Sequence, residues 1–286
     1  MRYDGEYCNS QYNARARVPD HAQYFARWAD DSRQARLTEP CVQDISYGEH
    51  PAQRLDMFPA RAARHGGAPL LVFIHGGYWR AQDKSDCSYL VPALTRAGAA
   101  VAVINYRLVP VVPLEDLVRD VLSAVTWCYL HAGQFGADPQ HLYVAGHSAG
   151  GHLTAMMLAC EWPRWHGALP PNVVKGGLAI SGLFDLEPIM HAKFLNDDLK
   201  LDQARVAHLS PAWMKPATHA PLMTAVGGLE SEEFKRQNAL IGDRWKGVFR
   251  RDVPMPGRHH FSILDALSEP ESRLHHAALE LLGLEQ

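Results

Sequence analysis

Two hydrophobic patterns alternate along most of this chain. Pro69 to Ile74 and Ala99 to Asn105 are apolar at nearly every position and only strand-sized, so both predict strands buried on two faces. Gln140 to Ala145, Val173 to Ile180, Pro221 to Val226 and Val248 to Val253 are further strand candidates. Between the strands the period changes. Leu114, Leu117, Val118, Val121, Leu122, Val125 and Cys128 recur at helical spacing within Pro113 to His131, and Gly133 lies just past the end. Helices are also predicted over Asp83 to Ala97, His152 to Cys160 and Glu232 to Trp245, the last with Phe234, Asn238, Ile241 and Trp245 on one side. Ser268-Glu269-Pro270-Glu271 fits a capping box opening a C-terminal helix striped by Leu274, Ala277, Ala278 and Leu281 and closed by Gly283. Strands alternating with helices from residue 69 onward predict an α/β fold, a mostly parallel sheet with helices on both faces.

Three stretches break this rhythm. Val42 to Tyr47 and Arg54 to Phe58 alternate polar and apolar residues around a Gly48 to Pro51 turn, which predicts an antiparallel pair at one end of the sheet. Residues 1–40 are polar with scattered aromatics and hold one expected helix, Pro19 to Arg36, with Tyr24, Trp28 and Ala35 on a shared face. They are expected to form an arm lying over the main domain. Residues 183–220 carry Phe184, Met190, Phe194, Trp213 and Met214 among several prolines. Insertions beyond the carboxyl ends of parallel strands border the ligand crevice, so this segment is a candidate partial lid. With no internal repeat and no low-complexity linker, residues 1–286 read as one domain.

Composition narrows the function classes. Net charge is −3, and basic residues such as Arg61, Arg64, Arg250 and Arg251 are scattered and read as solvated, so no nucleic-acid partner is expected. Residues 1–10 lack an apolar signal core, and no apolar run reaches the length of a membrane span. A cytoplasmic protein without a membrane partner is the expectation. The five cysteines are odd in number and lack metal-ligand spacing, so idle thiols are expected, with no metal and no cofactor.

The candidate chemistry centres on Gly146-His147-Ser148-Ala149-Gly150, placed between a predicted strand and a predicted helix. A G-x-S-x-G run in that setting is a nucleophile elbow: a crowded turn that needs small neighbours and lifts the serine hydroxyl above the sheet edge. A serine needs a base within hydrogen-bond reach and a group to orient that base. In this fold the acid and then the histidine follow the serine along the chain. The loop after the last predicted strand holds His259 and His260; His260 is favoured, because Phe261 and the following helix anchor it, and His259 is the alternative. Glu230 follows a late strand and precedes Ser231, a candidate helix cap, so it is the expected orienting acid. Asp243 and Asp252 are weaker choices, in a helix and a strand. His75-Gly76-Gly77 ends a buried strand. The backbone amides of Gly76, Gly77 and Ala149 are the expected oxyanion donors, since glycine lets the main chain approach a developing charge.

His75-Gly76-Gly77-Tyr78-Trp79, Gly146 to His152 and the N-terminal Gln11 to Asp20 together resemble the α/β-hydrolase kynurenine formamidases (arylformamidases), relatives of the hormone-sensitive-lipase group. The loop Val226 to Phe234 resembles that family's acid-bearing loop, and His260-Phe261 its histidine. The family usually carries aspartate at the position of Glu230. The resemblance implies a small-molecule substrate, N-formylkynurenine, cleaved to kynurenine and formate through a formyl-serine; a carboxylesterase with the same triad is the alternative. Tyr78, Trp79 and Trp213 are candidates for an aromatic wall against the aryl group. A homodimer is the one assembly considered.

Overall fold

The computed structural model describes residues 3–62 and 65–285. Arg64 lies outside them. Eight strands form one sheet: β1 Val42–Ser46, β2 Arg54–Phe58, β3 Ala68–Ile74, β4 Ala100–Ile104, β5 Ala137–His147, β6 Val174–Ile180, β7 Leu222–Gly227 and β8 Phe249–Met255. Their spatial order is β1-β2-β4-β3-β5-β6-β7-β8. β1 and β2 form the expected antiparallel pair, β2 runs antiparallel to β4, and the remaining neighbours are parallel.

The unbroken apolar runs follow from this order. Along β3, Leu70, Val72 and Ile74 join the core on one face, while Leu71 and Phe73 join the core on the other. β4 divides likewise into Ala100, Ala102 and Ile104 against Val101 and Val103. A strand covered by helices on both faces has no position left for a polar residue. Chain order reverses at β3, whose neighbours are β4 and β5. Ligands bind beyond the carboxyl ends of strands at such a switch point. The register pairs Ile74 of β3 with Gly146 of β5, so the His75-Gly76-Gly77 turn and Ser148 leave the sheet side by side.

Two local expectations are corrected. Asp83 to Ala97 is not one helix but two 3-10 turns, Lys84–Asp86 and Ser88–Leu90, followed by the α-helix Val91–Arg96. Side chains compete for the backbone there. Asp83 and Asp86 cap each other's amides, Arg36 takes the Ser85 carbonyl at 2.5 Å, and Lys84 is pulled onto Asp56 at 2.7 Å. The C-terminal helix starts at Arg273, not beside Pro270. Ser272 is its cap, accepting from the Leu274 amide at 3.1 Å, whereas the Ser268 hydroxyl donates to the Asp265 carbonyl at 2.8 Å. Arg61 is exposed, as expected, and it also donates to the buried Glu39 carboxylate at 2.6 and 2.9 Å, pinning the end of the arm to the sheet.

The arm holds three helices, Gly5–Tyr12, Ala14–Arg17 and His21–Thr38. Trp28 anchors the longest: it is buried, stacks on Tyr89 at 5.7 Å, and donates from its indole to Asp265 at 2.6 Å. Tyr12 anchors the first, Gly5–Tyr12. It is fully buried, donates to Glu233 at 2.7 Å and accepts from Gln237 at 3.0 Å. The 183–220 segment folds into Glu187–His191, Lys193–Leu199, Gln203–Leu209 and a short turn at Pro211–Trp213.

Candidate active site

The elbow is built as its sequence requires. Ser148 has φ +57° and ψ −116°, a strained conformation held between the end of β5 and the helix Ala149–Leu158. A β-carbon on Gly146 would lie 2.3 Å from the Gly150 carbonyl oxygen, and one on Gly150 would lie 2.0 Å from that of Ile74. Only glycine fits at either place. The Ser148 amide donates to Ile180 of β6 at 2.8 Å, fixing the turn to the sheet.

The structure brings Ser148, His260 and Glu230 together. His260 Nε2 is 3.2 Å from Ser148 Oγ, and Nδ1 is 2.6 Å from Glu230 Oε2. The carboxylate fixes the tautomer: Nδ1–H donates to Glu230, leaving the Nε2 lone pair to receive the serine proton. The other glutamate oxygen, Oε1, accepts from the Ser181 hydroxyl at 2.6 Å and from the Gly227 amide at 2.7 Å. This clamp sets where a glutamate, one methylene longer than aspartate, presents its second oxygen. A β-carbon on Gly227 would meet the Arg258 carbonyl oxygen at 2.2 Å, so the clamp also depends on glycine.

Two rings pack on the imidazole. Phe234 packs on it at 4.5 Å, and His147 packs on it at 4.7 Å. His147 Nε2–H donates to the His260 carbonyl at 2.8 Å. Burial pushes the His147 pKa well down, so the ring is neutral and keeps that donor. His259 is directed elsewhere. Its Nδ1 accepts from the amides of Phe261 and Ser262, each at 3.2 Å, and its Nε2 meets Tyr24 Oη at 3.2 Å. Of the two histidines, His260 is the one in contact with Ser148. Asp252 is likewise occupied away from the site, accepting from Asn238 at 2.9 Å.

The glycine turn stands opposite the hydroxyl. A β-carbon on Gly76 would approach Ser148 Cβ at 3.3 Å, and Gly77 has φ +93° and faces the cavity. Among the described residues, the amides of Gly76, Gly77 and Ala149 donate to no protein acceptor. His75 holds this turn from behind. Its Nδ1–H donates to the Gly76 carbonyl at 2.9 Å, its ring stacks on Tyr106 at 4.3 Å, and burial lowers its pKa to about 4.

Ser148 and His260 open into a cavity of about 490 Å³. Tyr78 lines it, with its hydroxyl donating to the Tyr12 carbonyl at 2.5 Å. Trp79 and Trp213 do not. Trp79 is fully buried and donates to His152 Nδ1 at 3.2 Å. Trp213 is 50 % exposed on the outer surface, under the Arg244 guanidinium at 4.0 Å. Further wall comes from Tyr12, Arg15 and Phe25 of the arm, from Arg80, and from Phe194 with Asp198 of the 183–220 segment; Arg15, Arg80 and Asp198 carry no local sequence signal for this. Both peripheral segments thus border the crevice. The aromatics of the arm and the place of the 183–220 insertion beyond the carboxyl ends of the strands are the sequence signals for this. Among the described residues, no group of histidine, cysteine and carboxylate side chains is placed to hold a metal, and no helix is long and apolar enough to cross a membrane.

Comparison with known proteins agrees with this geometry. Residues 55–162 match the BD-FAE family model. A kynurenine formamidase of Drosophila melanogaster is 33 % identical over 81 % of this chain and 78 % of its own length. That of Danio rerio is 27 % identical over 97 % of this chain and 94 % of its own. A Silicibacter crystal structure, assigned provisionally to the thioesterases, is 30 % identical and superposes with a TM-score of 0.82 over 96 % of this chain and 97 % of its own. Esterase B of Lactobacillus rhamnosus, at 21 % identity and a TM-score of 0.70, shares the fold. With an α/β-hydrolase sheet, an elbow serine beside a histidine, and relatives of this kind across most of its length, the chain belongs to the kynurenine formamidase family.

Proposed function

We infer that this protein is a serine hydrolase that cleaves the formamide bond of N-formyl-L-kynurenine, releasing kynurenine and formate. The observation that carries this reading is the extent of the similarity. The Danio rerio formamidase matches along 97 % of this chain, a length that must take in most of the arm, whereas the Mycobacterium tuberculosis esterase LipC matches over 49 % of it. The arm supplies part of the cavity wall, so the shared length includes the part that shapes a substrate site.

The chemistry follows from the distances. His260 Nε2, 3.2 Å from Ser148 Oγ, takes its proton as the oxygen attacks the formyl carbon. Negative charge forms on the carbonyl oxygen and is received by the amides of Gly76, Gly77 and Ala149, which carry no other acceptor. Glu230, 2.6 Å from Nδ1, stabilises the imidazolium that results. His260 then protonates the aniline nitrogen, the C–N bond breaks, and kynurenine leaves. Water, deprotonated by His260, attacks the formyl ester, and formate departs with regeneration of Ser148. A formyl group needs little room on the acyl side. The aromatic walls of Tyr78, Phe25, Phe194 and Phe261 face the leaving group.

The experiment is a comparison of kcat/KM for N-formylkynurenine and 4-nitrophenyl acetate on one preparation. The formamide is expected to be preferred. A strong preference for the ester, with negligible formamide turnover, refutes the formamidase reading in favour of a carboxylesterase.

A further inference from the structure

The charges around the cavity do not balance. Arg80 and Asp198 line it as an ion pair, and Arg80 also donates to the Phe194 carbonyl at 2.8 Å, so the aspartate's charge is met by its partner. Arg15 lines the same cavity from the arm. Its guanidinium lies over the Phe25 ring, 5.3 Å from the centroid, and no ion pair or hydrogen bond engages it among the described residues. A guanidinium is charged at any working pH and presents a planar fork of donors suited to a carboxylate. Here it is stacked on an aromatic face, which limits its motion and so the entropy lost when it takes an anion.

We propose that Arg15 is a specificity-determining residue that binds a carboxylate on the leaving group of the substrate. The helix that carries it, Ala14–Arg17, is fixed at its N-terminal end. Asn13 caps it by accepting from the Ala16 amide at 3.1 Å, and the preceding Tyr12 is buried against Glu233 and Gln237. The cationic wall is therefore positioned by the fold. The preferred substrates are aryl formamides or aryl esters whose aromatic leaving group ends in a carboxylate, as an amino-acid tail does. This deepens the functional reading given above: it rests on Ser148 as nucleophile and applies to either acyl class.

Two substrate pairs test it, with wild type, Arg15→Gln and Arg15→Lys compared in each. The formamide pair is N-formylkynurenine and 2-formamidoacetophenone, which lacks the amino-acid tail. The ester pair is 3-(2-acetoxyphenyl)propanoate and the uncharged 2-ethylphenyl acetate. Wild type is expected to favour the carboxylate-bearing member. In Arg15→Gln the ratio of kcat/KM between the members should fall about 10-fold or more, chiefly through KM, as expected for losing a hydrogen bond to a charged group. Arg15→Lys should retain part of the ratio. An unchanged ratio in Arg15→Gln, or a wild-type enzyme indifferent to the carboxylate, overturns the proposal. Should wild type turn over only the esters and the ratio still fall, the carboxylate site stands while the formamidase reading is lost.

Discussion

Replacing Glu230 with glutamine separates charge and tautomer from shape. The clamp on Oε1 consists of two donors, the Ser181 hydroxyl at 2.6 Å and the Gly227 amide at 2.7 Å. A backbone N–H cannot reverse its role, so the carboxamide oxygen must stay in that clamp and the NH₂ group must face His260. Nδ1 then becomes an acceptor, the ring proton moves to Nε2, and the lone pair aimed at Ser148 is lost. The negative charge that would stabilise the imidazolium disappears with it. Where an aspartate in this role is amidated in a serine protease, kcat drops about 10⁴-fold with geometry preserved, and a loss of that order is expected for Glu230→Gln. Glu230→Asp should be milder. Its carboxylate withdraws by about 1.5 Å, one C–C bond length, so it holds either the clamp or the imidazole, and losing one charge-assisted hydrogen bond costs roughly 1.5–3 kcal/mol, or ~10–100-fold. The assay is kcat on N-formylkynurenine for the three proteins, with thermal midpoints as a control for folding. Glu230→Gln within 10-fold of wild type, at unchanged stability, would show that this carboxylate does not orient the base.

Further predictions follow from the surroundings of the site. Gly150→Ala should fail to accumulate as soluble protein or unfold well below wild type, because its methyl would lie 2.0 Å from the Ile74 carbonyl oxygen; a wild-type melting curve would contradict this. Acid should destabilise the fold steeply. Burial lowers the pKa of His75 and of His152 to about 4 and that of His147 well below its usual value, so unfolding takes up protons as pH drops below ~6.5. Stability is full above that pH and is lost towards pH 4, with a slope of up to about 4 kcal/mol per pH unit if all three contribute; urea midpoints equal at pH 7.5 and 5 would refute it. Tyr12→Phe removes the bonds to Glu233 and Gln237 that seat the arm, and should raise KM more than it lowers kcat; an unchanged KM would separate the arm from substrate binding. Activity should survive exhaustive chelation and disappear with a serine-directed sulfonyl fluoride.

How far the site could be read from sequence depended on whether local chemistry dictates geometry. β3 and β4 were legible because strands buried on both faces have no polar positions, and the elbow because only glycine fits where a β-carbon would sit 2.3 Å from a carbonyl oxygen. That Glu230 and His260 lie near Ser148 was legible from chain order, which the sheet topology converts into proximity. The wall was not legible. Tyr78 and Trp79 are adjacent aromatics with φ of +50° and +59°, and the turn sends one to the cavity and the other into the core. Nothing local decides which. Arg15, Phe194 and Asp198 line the cavity of Ser148 only because the arm and the 183–220 segment fold over the sheet, through contacts such as Tyr12 with Glu233 that span 221 positions. The same long-range pull of Arg36 and Lys84 broke up the helix expected after Asp83.

The claim on which everything else rests is that the Ser148 hydroxyl attacks the substrate. Formate release from N-formylkynurenine by Ser148→Ala measures it directly. The account predicts a loss of roughly 10⁶-fold, the scale seen when the nucleophile of a serine triad is removed, with kynurenine still binding and the thermal midpoint unchanged. Formate release by the alanine variant within 10-fold of wild type would contradict it.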